Sequence, residues 1–231
     1  MLSKSSDLPS DAMSTIILSC ESLQVYIDAA QQAAGTNYPV YWLQRKYHDN
    51  PAMMRQHILE TLSSLPREAD TVLVAMGFCG GSWDQVIADR RIVLPRVDDC
   101  ITLLLHQNDE YQPNLKQMGH MYMLDGDPEK FSPETMFENL SEKYEQWKAE
   151  ALFDMWFENY HFLDVIDTGL FDCYSESFAA QAQRSADLIH CALDYVPGSN
   201  RLLEKLLRGQ WDEQFLVAEP GHKIVHKDFF E

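Results

Sequence analysis

Two short runs rich in apolar and β-branched residues, Thr71–Met76 and Arg91–Val97, each lead directly into a loop that carries a cysteine. The first loop is Gly77-Phe78-Cys79-Gly80-Gly81 and the second is Asp98-Asp99-Cys100. Runs this short with no clean polar alternation read as strands buried on both faces, which is the habit of a parallel sheet. Thr15–Cys20, Tyr38–Leu43, Met121–Leu124, Leu163–Asp167, Ala192–Tyr195 and Phe215–Ala218 read the same way. Segments with helical spacing separate most of them: Glu21–Ala34, Ala52–Leu65, Ser82–Ala88, Asp99–Leu105, a long one from Glu134 towards Tyr160 broken once, Ser175–His190 and Asn200–Arg208. Alternating strands and helices predict an α/β fold, with mostly parallel sheets and helices on both faces. The strand–helix pattern occurs twice, so two Rossmann-like lobes around a cleft are expected. These span 14–118 and 119–231, after a disordered lead-in at 1–13. A single continuous sheet is the rival arrangement.

In open α/β sheets ligands sit beyond the carboxyl ends of the strands. Cys20 ends the first strand, Cys79 follows the third and Cys100 follows the fourth, so a parallel sheet brings all three to one edge. His48, in the Lys46–Pro51 loop after the second strand, belongs to the same edge. Thiolate sulfur and imidazole nitrogen suit soft or borderline ions, and three thiols plus one imidazole make a tetrahedral set for zinc, with iron or cobalt as other occupants. A buried cysteine also behaves as a small apolar residue. That bland reading is assigned to Cys173 and Cys191, which lack equivalent positions.

Around this set, Gly80 gives the loop its freedom, and Asp98 and Asp99 are helix caps or groups that orient a ligand. Arg96 is a candidate for an anionic substrate group. Asp167 repeats the pattern of an acid at a strand end in the second half, and His222 follows the last strand. Both are expected to face the same cleft. A rival to the metal site is a cysteine nucleophile at Cys79, at the start of a helix, with His48 as its base.

Other classes are disfavoured. The net charge of −18 argues against nucleic acid or anionic membrane as a partner, because phosphate contacts need clustered Lys and Arg. Five cysteines with no CxxC spacing give neither a disulfide framework nor a compact zinc knuckle. There is no apolar run long enough for a membrane span, and the polar start lacks the apolar core of a signal peptide, so the cytoplasm is the expected location. The loop at Gly77–Ser82 matches no dinucleotide or P-loop fingerprint, and GxSxG and HExxH are absent.

The segments Ile17-Leu18-Ser19-Cys20, His48-Asp49-Asn50-Pro51, Gly77-Phe78-Cys79-Gly80, Pro95–Ile101, Ile166–Gly169 and Phe215–Gly221 together resemble the domain-of-unknown-function family numbered 1638. The commoner form of the cysteine loop in that family is Gly-Leu-Cys-Gly-Asn, and this chain has Gly-Phe-Cys-Gly-Gly. The resemblance implies that Cys20, His48, Cys79 and Cys100 form one site. It also implies a place beside corrinoid-dependent methyl-transfer systems, with a small-molecule substrate or a methyl-transfer protein as partner. The function expected from residues and resemblance together is a metal-thiolate enzyme or accessory protein. A non-catalytic metal or corrinoid carrier is the alternative, although no Asp-x-His-x-x-Gly corrinoid motif is present.

Overall fold

The structure is a computed structural model that describes residues 14–47, 50–126 and 132–231. The expected lead-in at 1–13, and His48 with it, lie outside the described residues.

Two sheets form. The first holds β1 (Ser14–Cys20), β2 (Val40–Leu43), β3 (Ala69–Ala75), β4 (Arg91–Pro95) and β8 (Phe215–Ala218) in the order β2-β1-β3-β4-β8. The second holds β5 (His120–Leu124), β6 (Phe162–Asp167) and β7 (Ala192–Pro197), all parallel. β1 to β4 are mutually parallel, as their unbroken apolar sequences require, and β3 is buried at every position but one. The strand β8 is the antiparallel member of this mostly parallel sheet. It runs antiparallel to β4, with Phe215 opposite Pro95 and Ala218 opposite Ile92. Its two middle residues, Leu216 and Val217, keep some exposure, as suits a strand at the edge of the sheet.

The helices are α1 (Gln24–Ala34), α2 (Pro51–Ser64), α3 (Cys100–Leu105), α4 (Pro133–Lys143), α5 (Gln146–Phe157), α6 (Glu176–Leu188), α7 (Arg201–Leu207) and α8 (Lys227–Phe230). Local chemistry explains several of their starts. The Asn50 side chain accepts from the amides of Ala52 and Met53 at 3.1 and 3.2 Å, and Pro51 takes the first turn. Asp99 caps α3 from the amides of Ile101 and Thr102, both at 3.0 Å. The long helical segment expected after Pro133 is broken once, where Tyr144 and Glu145 adopt extended backbone.

The helix expected at Ser82–Ala88 does not form. A single 3₁₀ turn at Cys79–Gly81 replaces it, and Gln85 takes φ 68°. The amides of Gln85 and Ala88 instead bond to the carbonyls of Ile224 and His222, at 2.8 and 3.0 Å. Non-local partners on the C-terminal segment outcompete a short local helix, which is marginal on its own.

One apolar core lies around the first sheet and includes residues of α1, α3 and α7. A second lies between the smaller sheet and α4, α5 and α6. Asp125, just past β5, connects the two. It is buried and accepts from Tyr26 Oη of α1 at 2.7 Å, and from the amide and hydroxyl of Thr168 beyond β6 at 2.8 and 2.6 Å.

Candidate thiol site and its cavity

The loops after β3 and β4 approach each other closely. The amide of Phe78 donates to the carbonyl of Val97 at 2.9 Å, and the amide of Cys79 donates to that of Asp98 at 2.7 Å. Gly77 makes this approach possible, since a Cβ there would stand 2.6 Å from Asp99 Cα. Cys79 itself sits in the left-handed region at φ 46°, followed by Gly80 at φ 66°. A branched or bulky side chain is costly in that conformation, and such strain clusters at functional sites.

The result is a thiol pair. Cys79 and Cys100 neighbour each other on these two loops. Cys100 is buried, and its thiol is pushed up chiefly by its interaction with Cys79, then by burial; the Gly77 amide pulls it the other way. Cys20, at the end of β1, is fully buried and shares a hydrogen bond of 2.9 Å with Ser22 Oγ. Burial, then the proximity of Cys100, pushes the Cys20 thiol up to about 12. Cys20 and Cys100 are therefore neutral thiols at physiological pH while no cation accompanies them. None of the five cysteines forms a disulfide. Cys173 and Cys191 are buried in the second core.

Among the described residues, no three histidine, cysteine or carboxylate side chains are grouped so as to hold a metal ion.

The pair opens on a cavity of about 800 Å³ where the carboxyl edge of the first sheet meets the edge strand β5. Cys79, Gly80, Asp99 and Cys100 form part of its wall. The facing wall is apolar and adaptable, with Met54, Met118, Met121, Met136, Tyr122 and Trp156. Lys116 reaches in and pairs with both Asp98, at 2.8 Å, and Asp99. Asp99 thus caps α3 with one oxygen and holds the lysine with the other. Asp99 is the helix cap that the sequence suggests, and Asp98 instead accepts from the Thr102 hydroxyl.

Three expected members of the site are elsewhere. Arg96 donates to the carbonyls of Asp228 and Glu213, at 2.7 and 3.0 Å, and lies over the Tyr111 ring, so it fastens the C-terminal segment. Asp167 lies at the carboxyl edge of the second sheet and accepts from Tyr174 Oη at 2.9 Å and from the Gly169 amide at 3.0 Å. It does not line the thiol cavity. His222 is displaced because β8 is antiparallel: its carboxyl end lies beside the amino end of β4, at the far edge from the cysteines. There His222 bonds Asp228 at 3.0 Å.

The structure adds a pair that sequence reasoning misses. His120, the first residue of β5, lines the cavity, and its Nδ1 lies 2.7 Å from Asp164 Oδ2 on β6. The Asp164 side chain is 1% exposed and that of His120 17%. Burial pushes the Asp164 carboxyl up, and His120 opposes that push. One signal was present: Asp164 is a single acid inside the apolar run Leu163–Ile166, where a charge needs a partner.

No curated protein and no solved structure matches the chain. A family model described as "Protein of unknown function (DUF1638)" matches residues 42–207, from β2 to the end of α7. That span contains Cys79, Cys100, Lys116, His120 and Asp164, and the chain belongs to the DUF1638 family.

Proposed function

We propose that the chain is a metal-thiolate protein in which Cys20, Cys79 and Cys100 hold one soft divalent ion, zinc most simply, beside a cavity for a small molecule. The observation that carries this reading is the contact between the Cys79 and Cys100 thiols, delivered by two separate strand-end loops to one cavity wall. Burial raises the Cys20 and Cys100 thiols, so neither ionises without a compensating charge. A divalent cation offsets both burial and mutual repulsion and holds the sulfurs as thiolates. His48, on the loop entering α2, is the proposed fourth ligand.

When bound, such an ion supplies Lewis acidity that activates a thiol or a water. This chain's own residues would supply the rest. Lys116, Asp98 and Asp99 fix the second loop, and the methionine-rich wall takes the apolar body of the ligand. With the likeness to companions of methyl-transfer systems, the proposed substrate is a small methyl acceptor or donor, and a methyl-transfer protein is a proposed partner.

The test is metal analysis of untagged protein purified under reducing, chelator-free conditions. About one equivalent is expected, and Cys79→Ser and Cys100→Ser are expected to lose it while the circular dichroism spectrum is kept. Wild type with far less than one equivalent, matched by both variants, overturns the reading. A second reading then leads: Cys79 as a metal-free nucleophile. It is favoured by Cys79 being the partly exposed member of the three cysteines.

A further inference from the structure

The His120–Asp164 pair has no part in the proposed ligand set, yet it is built as an acid–base device. An ionised carboxylate can only accept, so across the 2.7 Å bond Nδ1 is the donor, and Nε2 is the ring nitrogen left to a ligand. The ring cannot turn away freely. Phe162 stacks on it with centroids 4.5 Å apart and planes within 17°. Among the described residues, Nε2 has no hydrogen-bond partner, and the side chain keeps some exposure on the cavity wall. Behind the pair, Asp194 on β7 stands in register with Asp164 and adds negative charge. Lys116 and Tyr122 also line the cavity, and Tyr122 Oη accepts from the Gln117 amide.

A histidine oriented in this way by a buried acid can take a proton and have the resulting charge balanced from behind. The ligand that suits it has an acidic hydrogen within reach of imidazole. Of the common neutral protic groups, a thiol is the one whose acidity lies closest to that of imidazole; an alcohol is a far weaker acid. A methionine and aromatic wall also favours a soft, apolar body.

We propose that His120 is the base this cavity presents to its ligand, with Asp164 as its positioning residue, and that the ligand is a small apolar thiol. The S–H proton passes to Nε2, the electron pair stays on sulfur as thiolate, and the imidazolium formed is balanced by the Asp164 carboxylate. This deepens the reading of the cavity given above but does not require the metal.

The experiment uses the full chain, labelled with ¹⁵N, near neutral pH, with 1-propanethiol as the probe. Long-range ¹H–¹⁵N correlation reads both ring nitrogens of His120. In the free protein the ring is expected to be neutral with its proton on Nδ1. Saturation with 1-propanethiol is expected to protonate Nε2 as well, and to shift the methyl signals of Met121 and Met136. Asp164→Asn is expected to abolish the change in ring protonation while the methyl shifts persist. A role confined to packing would move neither nitrogen signal.

Three outcomes overturn the proposal: a proton on Nε2 in the free protein, methyl shifts with no change at His120, or no shift at any cavity residue. Metal content measured on the same sample separates this result from the metal reading. Protonation of His120 without bound metal sustains the base and sinks the centre, and bound metal with an unresponsive His120 does the reverse.

Discussion

The amide of Cys79 donates to the carbonyl of Asp98 over 2.7 Å, two residues before Cys100. The thiol pair is therefore set by backbone pairing between two loops, and side-chain rotation only completes it. Gly77 is the residue on which this pairing depends. Gly77→Ala would place a methyl group 2.6 to 2.9 Å from three backbone atoms of Asp99, none of which can swing aside. We expect a loss of about 2 kcal/mol or more, as for overpacked sites, read as a lower urea midpoint. Cys100 should also become open to alkylation, since the loops must part.

In metal-free protein the cysteines should differ in reactivity. Cys79 is partly exposed on the cavity, and Cys20 and Cys100 are buried. Iodoacetamide near neutral pH should label Cys79 first, as peptide mass spectrometry would show. Cys20 adds a pH dependence. Its thiol is raised from 9.0 to about 12 in the folded chain, so the neutral form is favoured by folding. That contribution is complete below pH 9.0 and is lost as pH rises towards about 12. Cys20→Ala should therefore flatten the alkaline decline in stability.

Asp125 joins the two sheets through three accepted hydrogen bonds. Asp125→Ala leaves Tyr26 Oη and two Thr168 donors without their acceptor, at a cost of about 3 kcal/mol. Tyr26→Phe, which removes one donor to Asp125 and the acceptor of the Gly126 amide, should cost about 2 kcal/mol. Urea melts of Asp125→Ala followed at Trp83 in the first core and at Trp156 on α5 should separate, whereas wild type gives one transition.

An ion cluster near α7 gives an acid-side prediction. Arg201 first, then Lys205, hold the Asp109 carboxyl down to about 2, from an ordinary 3.8. A depressed carboxyl stabilises the fold above its unfolded value and ceases to do so as pH falls through its folded one. Arg201→Met should therefore be less stable than wild type near neutral pH. The gap should narrow between pH 3.8 and about 2, as equilibrium denaturation at several pH values would show.

Much of this was readable before any coordinates. Unbroken apolar runs announced the parallel strands, and Asp99 announced a helix start that its side chain does cap. The placing of Cys79 and Cys100 on one cavity wall followed from strand ends alone. The direction of β8 did not, because a four-residue apolar run carries no sign of orientation. His222 was misplaced for that reason. His120 was invisible because its meaning lies in Asp164, on the next strand but 44 residues away. The helix expected after Gly81 failed for a related reason, since its amides bond to Ile224 and His222 from the far end of the chain.

The position of β8 also bears on the order in which the molecule assembles. β4 completes its pairing only with a strand roughly 120 residues downstream, and the whole second sheet is made in between. β5, β6 and β7 need only one another and their helices. In a pulse-labelled refolding experiment their amides should be protected before the amides of β4 that face β8. Until β8 docks, one side of β4 offers unpaired backbone groups to any other extended chain. The sheet that carries the cysteines is thus the slower one to close, and a chain halted before Phe215 exposes its stickiest edge.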